Sequence, residues 1–154
     1  MKYLLTGLLV GTVSLIGSQF AAAQSGHFID RTVECHDDGT TVDCEGKVAG
    51  LGGTTFEIRL SAPGVAAVEC TNPGENVAPG QAHSITATGS SGPQQTPRNG
   101  QYVFDVETIH PAAPAGSCPN DQWTAEIVDV TFSFATLTLF ENDIQVDSIT
   151  VQVL

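Results

Sequence analysis

Four histidines, four cysteines and 17 acidic side chains are the residues of this chain whose types could do chemistry. His27, His36, His83 and His110 lie far apart, three of them in expected loops or strand ends, so their spacing calls for neither a base–nucleophile pair nor a metal site. Ser90 and Ser91 stand between Gly89 and Gly92, but that stretch reads as Pro/Gly-rich loop rather than a strand-to-helix elbow, and Gly-x-Ser-x-Gly is absent. So many carboxylates on one small domain always include pairs at glycosidase separations, and abundance removes their meaning. Glu57 and Glu126 occupy outward strand positions and fit a sugar-binding face, with Tyr102 or Trp123 as a platform. Trp123, however, shares its phase with Ala125 and Ile127, which favours the core. No glycine-rich phosphate loop opens a helix. The residue types thus nominate no catalytic, cofactor-binding or metal-ligating set.

One acidic cluster is dense: Glu34, Asp37, Asp38, Asp43 and Glu45 surround His36. A calcium ion uses such oxygens, yet the alternating ligand loop of an EF-hand is missing, and a solvated turn accounts for the residues as well. The cysteines say more. Cys35 and Cys44 are symmetric about Gly39-Thr40, so a two-residue turn would set them opposite each other on a hairpin, leaving Cys70 for Cys118. The alternative, a zinc site, lacks CxxC spacing.

The elements that must position these residues are strands. Phe56, Ile58 and Leu60 alternate with Thr55, Glu57 and Arg59; Pro63-Gly64 then reads as a turn before a second strand carrying Ala66, Val68 and Cys70 on one face. Loops rich in Pro and Gly follow at 72–81 and 89–100. Asn99-Gly100 leads into a strand with Tyr102, Phe104 and Val106 on one side. Beyond Trp123 the inward phase runs through Val130, Phe132 and Phe134 on even positions, then Leu137 and Leu139 on odd ones, which requires a bulge or bend near 133–135. A hairpin across Asn142-Asp143 closes the pattern, and no helical period persists. The expectation is an all-β, Ig-like antiparallel β-sandwich of about eight or nine strands with two disulfides.

Residues 1–23 carry the parts of a secretory signal: Lys2, an apolar run from Leu4 to Ile16, and Ala21-Ala22-Ala23. At about 13 residues that run is too short to span a membrane. Residues 24–154 are then one exported domain, secreted or periplasmic, with no membrane insertion after signal cleavage. Without Lys2, only Arg31, Lys47, Arg59 and Arg98 oppose the 17 acids, a balance that repels nucleic acid and anionic lipid.

Gly50-Leu51-Gly52, Cys70-Thr71-Asn72-Pro73-Gly74 with Ala78-Pro79-Gly80-Gln81, and Cys118-Pro119-Asn120 with Trp123-Thr124-Ala125 resemble a group of small exported bacterial β-sandwich proteins. The likeness covers roughly 46–154 and leaves out the acidic hairpin. It implies the Cys70–Cys118 pairing and transfers no catalytic residue. The functional expectation is a non-catalytic binding or surface-associated module that meets an extracellular or cell-surface ligand through loops 72–81 and 89–100. The alternatives are a small exported hydrolase and a calcium-stabilised structural module.

Overall fold

The computed structural model describes residues 26–154; the expected signal segment falls outside them. In chain order the strands are β1 (His27–Phe28), β2 (Glu34–Asp37), β3 (Val42–Ala49), β4 (Thr55–Thr71), β5 (Val77–Pro79), β6 (His83–Ser90), β7 (Gln94–Gln95), β8 (Tyr102–Glu107), β9 (Thr124–Phe132), β10 (Phe134–Glu141) and β11 (Ile144–Gln152). A 3₁₀ turn, Asp30–Thr32, joins β1 to β2. Every strand pair is antiparallel, in a four-stranded sheet around β3 and a seven-stranded sheet around β4. The two sheets form a β-sandwich.

Turn chemistry sets the hairpins. Gly39 takes a φ of 84° between β2 and β3, and the Asp38 N–H donates to Thr41 O at 3.0 Å, which brings Cys35 opposite Cys44. Asn142 and Asp143 both adopt positive φ, 47° and 66°, the geometry of a two-residue turn between β10 and β11. Both expected disulfides are present, with Cα separations of 4.1 Å for Cys35–Cys44 and 5.7 Å for Cys70–Cys118, and no described cysteine is free. The zinc alternative is excluded by those bonds.

The central strand departs from the sequence expectation. Pro63 and Gly64 do not turn the chain; β4 runs unbroken for 17 residues. Along one edge it pairs with β10 over 56–61 and with β9 over 64–71, so Pro63, which has no N–H to give, sits where one partner hands over to the other. Gly64 is needed for that approach: a Cβ there would meet Val130 Cγ1 at 2.7 Å and Phe132 Cδ1 at 2.9 Å. What reads as punctuation is a place where another strand comes close.

β4 also keeps one phase throughout. Phe56, Ile58, Leu60, Ala62, Ala66, Val68 and Cys70 all point into the core. Its partner slips instead. Ile127 pairs with Val68 but Asp129 with Ala67, which leaves Val128 as an extra residue, and a second extra residue falls at 133–135, between Phe132↔Gly64 and Thr136↔Ser61. The parity change expected at 133–135 is there, and Phe134, expected inward, is turned out at 47 % exposure because the slip lies just before it.

From the smaller sheet Cys44, Val48, Phe104 and Val106 fill the interior, where Phe28 and Phe104 meet edge to face with centroids 5.7 Å apart. Tyr102 does the same against Phe56 at 4.9 Å. The sheets join at both sides. A parallel bridge links Cys35 to Val153, with Asp37 N donating to Leu154 O, and on the opposite side Ile109 N donates to Thr88 O at 2.8 Å.

Glu141 ends the inward row Leu137, Leu139, and is fully buried. Its carboxylate accepts the backbone N–H groups of Gly26 at 2.8 Å, Gly52 at 3.1 Å and Gly53 at 2.6 Å, which ties the start of the described chain and the glycine-rich 50–53 turn to one end of β10.

Candidate functional site

The two outer faces of the sandwich differ in chemistry. On the smaller sheet the outward residues of β2, β3 and β8 stand in rows, Glu34–Glu45–Asp105 and His36–Asp43–Glu107. Like charges directly opposite one another destabilise a sheet. Asp43 suffers most: partial burial, then the neighbouring carboxyl of Asp105, with Asp38 and Glu107 nearby, raise its pKa above the ordinary carboxylate value. A group with a raised folded-state pKa binds its proton more tightly when folded, so its penalty grows as pH rises through that pKa and vanishes below the unfolded value of about 3.8. Asp43→Asn is therefore expected to raise the melting temperature at pH 7 by about 1–4 °C, with the gain gone in melts below pH 3.8. An unchanged midpoint at pH 7 would mean that solvent already screens the cluster.

Asp37 is engaged by the turn, accepting Gly39 N at 2.8 Å, and among the described residues no three His, Cys, Asp or Glu side chains are disposed to hold a metal ion. The histidines stay apart, on β1, β2 and β6 and just after β8. His36 reaches Glu34 at 4.0 Å and His110 shares an exposed 2.9 Å contact with the Thr40 hydroxyl.

The larger sheet carries a different surface. Across its outer face the register aligns Ser148–Thr138–Arg59–Ser90, then Thr150–Thr136–Ser61–Thr88, then Pro63–Thr86, then Thr131–Val65–Ser84. Alternation puts one residue in two on this face, and here those residues are mostly hydroxyls. Two adjoining depressions, of about 420 and 450 Å³, lie along the middle of β4. Arg59, Ser61, Thr88 and Ile109 shape the first; Pro63, Val65, Thr86 and Phe134 shape the second. Ile109 is 75 % exposed and Val65 52 %, so the groove has apolar walls open to solvent.

Its one ion pair is internal. Arg59 Nη2 lies 2.7 Å from Glu57 Oε2, the Ser90 hydroxyl donates to Glu57 Oε1 at 2.6 Å, and the guanidinium covers the Phe140 ring at 4.2 Å. The Arg59 and Ser90 hydrogen bonds hold Glu57 below the usual carboxylate range. The pair cancels its own charge.

Gly89 sets the upper wall. A Cβ there would collide with the backbone of Glu107 and Thr108, so only glycine lets that segment close against β6 and carry Ile109 over Thr88. Gly89→Ala is expected to destabilise the fold by roughly 1–3 kcal/mol, the scale of overpacking, read as a lower denaturant midpoint with an unchanged slope. Proteolysis should open first at 107–110.

The sequence-nominated residues divide. Glu57 borders the groove, but Glu126 pairs with Glu69, 12 residues further along β4, so the two carboxylates sit roughly 40 Å apart and cannot act together. Tyr102 faces Phe56, and Trp123 is partly buried against the core at the foot of β9, so neither forms a platform beside Glu57. Loops 72–81 and 89–100 contain β5 and β7, which pair with opposite ends of β4 roughly 45 Å apart. Only the second touches the groove, through Gly89 and Ser90. The groove itself was missed from the sequence; its signal is the Ser and Thr on outward phases of five strands, but strand order is needed to set them side by side.

No family model matches the chain, and no curated protein matches it. Among solved structures, Bacteroides uniformis β-glucuronidase 2, covalently bound to cyclophellitol-6-carboxylate aziridine, aligns over 82 % of this chain at 10 % identity with a TM-score of 0.37. A glycosyl hydrolase family 2 member from Bacteroides cellulosilyticus aligns over 82 % at 10 % identity with a TM-score of 0.32. The chain spans only 14 % and 15 % of those proteins, and alignments this loose establish no functional relationship.

Proposed function

We propose that this chain is an exported, non-catalytic binding module whose contact surface is the outer face of the β4 sheet. One observation carries the reading: a groove with exposed apolar walls and a hydroxyl-lined floor, on a face whose only central ion pair neutralises itself. Exposed apolar side chains gathered in a concavity mark binding sites far more often than scattered ones do. Export is supported by two disulfides and by the signal pattern at 1–23. Among the described residues no helix is long and apolar enough to cross a membrane.

A rigid face suits this role, because β4, the central strand of the floor, is paired on both edges and binding orders little. Pull-down on bacterial cell-wall sacculi, plant cell-wall residue and collagen matrix tests the reading. Retention on at least one is expected, falling at least tenfold in Val65→Asp/Phe134→Asp. Equal retention of that double variant, with an unchanged melting curve, would sink it.

A further inference from the structure

We infer that the groove takes a neutral polysaccharide chain laid along β4; this rests on the binding-module reading and names its ligand class. Four observations converge on it. First, the floor is made of hydroxyls that both donate and accept: Ser61, Ser84, Thr86, Thr88 and Thr138. A hydroxyl-rich polymer pairs with such a surface in either sense, whereas an anion needs donors held in place by charge.

Second, no net charge faces the ligand. The Arg59 guanidinium is occupied by Glu57 and stacked on Phe140, and four basic residues in the exported part of the chain against 17 acidic ones give a field that opposes uronates, phosphates and sulfates. Anionic chains are thereby disfavoured, and a groove whose own ion pair is closed suits a neutral one.

Third, the groove runs over β4, an interior strand of the sheet, with β6 at its side. β4 residues 59–61 pair with β10 on one side and β6 on the other, and residues 64–66 pair with β9 and β6. An extended peptide gains most of its affinity from backbone hydrogen bonds to a free strand edge; β4 has none to give along the groove, and β6, which pairs with β4 alone, offers its outer edge beside the depressions, where Ile109 N already takes Thr88 O. Recognition on the β4 floor runs through side chains.

Fourth, the apolar walls are placed to cover the C–H faces of rings. Ile109 stands over one depression and Val65 with Phe134 over the next. From Arg59 to Val65 is six residues, roughly 20 Å of strand, enough for a few sugar rings in line.

Native gels containing a soluble neutral polymer (a mixed-linkage β-glucan, a galactomannan or a dextran) should retard the full exported protein, measured against a gel without polymer. Alginate and polygalacturonate should not. Thr88→Asp/Thr138→Asp, with both side chains on the outer face of the sheet, should weaken retardation at least tenfold, while Val103→Asp on the opposite face leaves it unchanged. Retardation that survives the groove variant, or none in any neutral polymer, overturns the inference. To separate the ligand class from the module, the material retaining the protein by pull-down is treated with periodate or with protease. Loss after periodate alone supports a glycan. Loss after protease alone overturns the glycan and leaves the binding surface standing.

Discussion

Replacing Glu141 by alanine is expected to lower the unfolding free energy by roughly 3–5 kcal/mol, the cost of leaving several buried donors without a partner. The carboxylate is fully buried and three backbone N–H groups, from Gly26, Gly52 and Gly53, point at it. The carboxylate in turn requires the glycines: a Cβ on Gly26 would run into Glu141 Oε1, and one on Gly53 would sit 3.0 Å from Glu141 Oε2. Glu141→Gln keeps one oxygen, so either the Gly26 contact or the Gly52 and Gly53 contacts fail. A loss of about 1–3 kcal/mol is then expected. Denaturant midpoints order the three proteins, and hydrogen exchange at Gly26, Gly52 and Gly53 locates the effect. A glutamine variant as stable as the parent would show that charge at this position contributes nothing.

The second large effect belongs to Cys70–Cys118, which closes a loop of 48 residues. In the chain-entropy account such a loop stabilises by about 4 kcal/mol, against about 2.6 kcal/mol for the 9-residue separation of Cys35–Cys44. Cys70→Ala/Cys118→Ala should therefore lower the melting temperature by about 15 °C, and the other pair by about 10 °C. The long loop is not slack. It contains β5 to β8, and its one extended irregular stretch lies between β8 and β9. There Cys118, the Ser117 carbonyl accepting from Gln81 N, and Gly80 packed against Cys70 hold the chain to the end of β4. Loss of the bond should expose 110–122 to protease before the strands. A drop under about 5 °C would show that strand pairing alone confines the stretch.

Much of this fold was legible because it follows local rules. The turns at Gly39-Thr40 and Asn142-Asp143 need positive φ and carry the residues that tolerate it, and the cysteine symmetry follows from the first of them. The alternation of Phe56 to Leu60 named its buried face correctly. Pro63-Gly64 misled because the reason for both residues is tertiary: a missing donor at a change of partner, and room for Val130 and Phe132. Glu141 was readable in part, as the next inward position after Leu137 and Leu139, but its donors lie 88 residues away or more. The candidate groove was the least legible. Each strand shows its outward Ser and Thr, while the order of the strands, which makes them one surface, rests on long-range pairing.

The uneven phase of the central pair bears on which changes in chain length the protein can survive. β4 holds its inward residues on even positions for its whole span, while β9 and β10 absorb two extra residues, at Val128 and at 133–135. Deleting Val128 would restore regular pairing and leave Ile127 and Val130 facing inward. Inserting one residue near Ala62 would turn half the core outward, from Phe56 to Leu60 or from Ala66 to Cys70, and carry Cys70 away from Cys118. Gain and loss of single residues in descendants of this gene should collect in β9 and β10 and spare β4, so that the lineage varies in length on one side of its central pair and holds constant on the other.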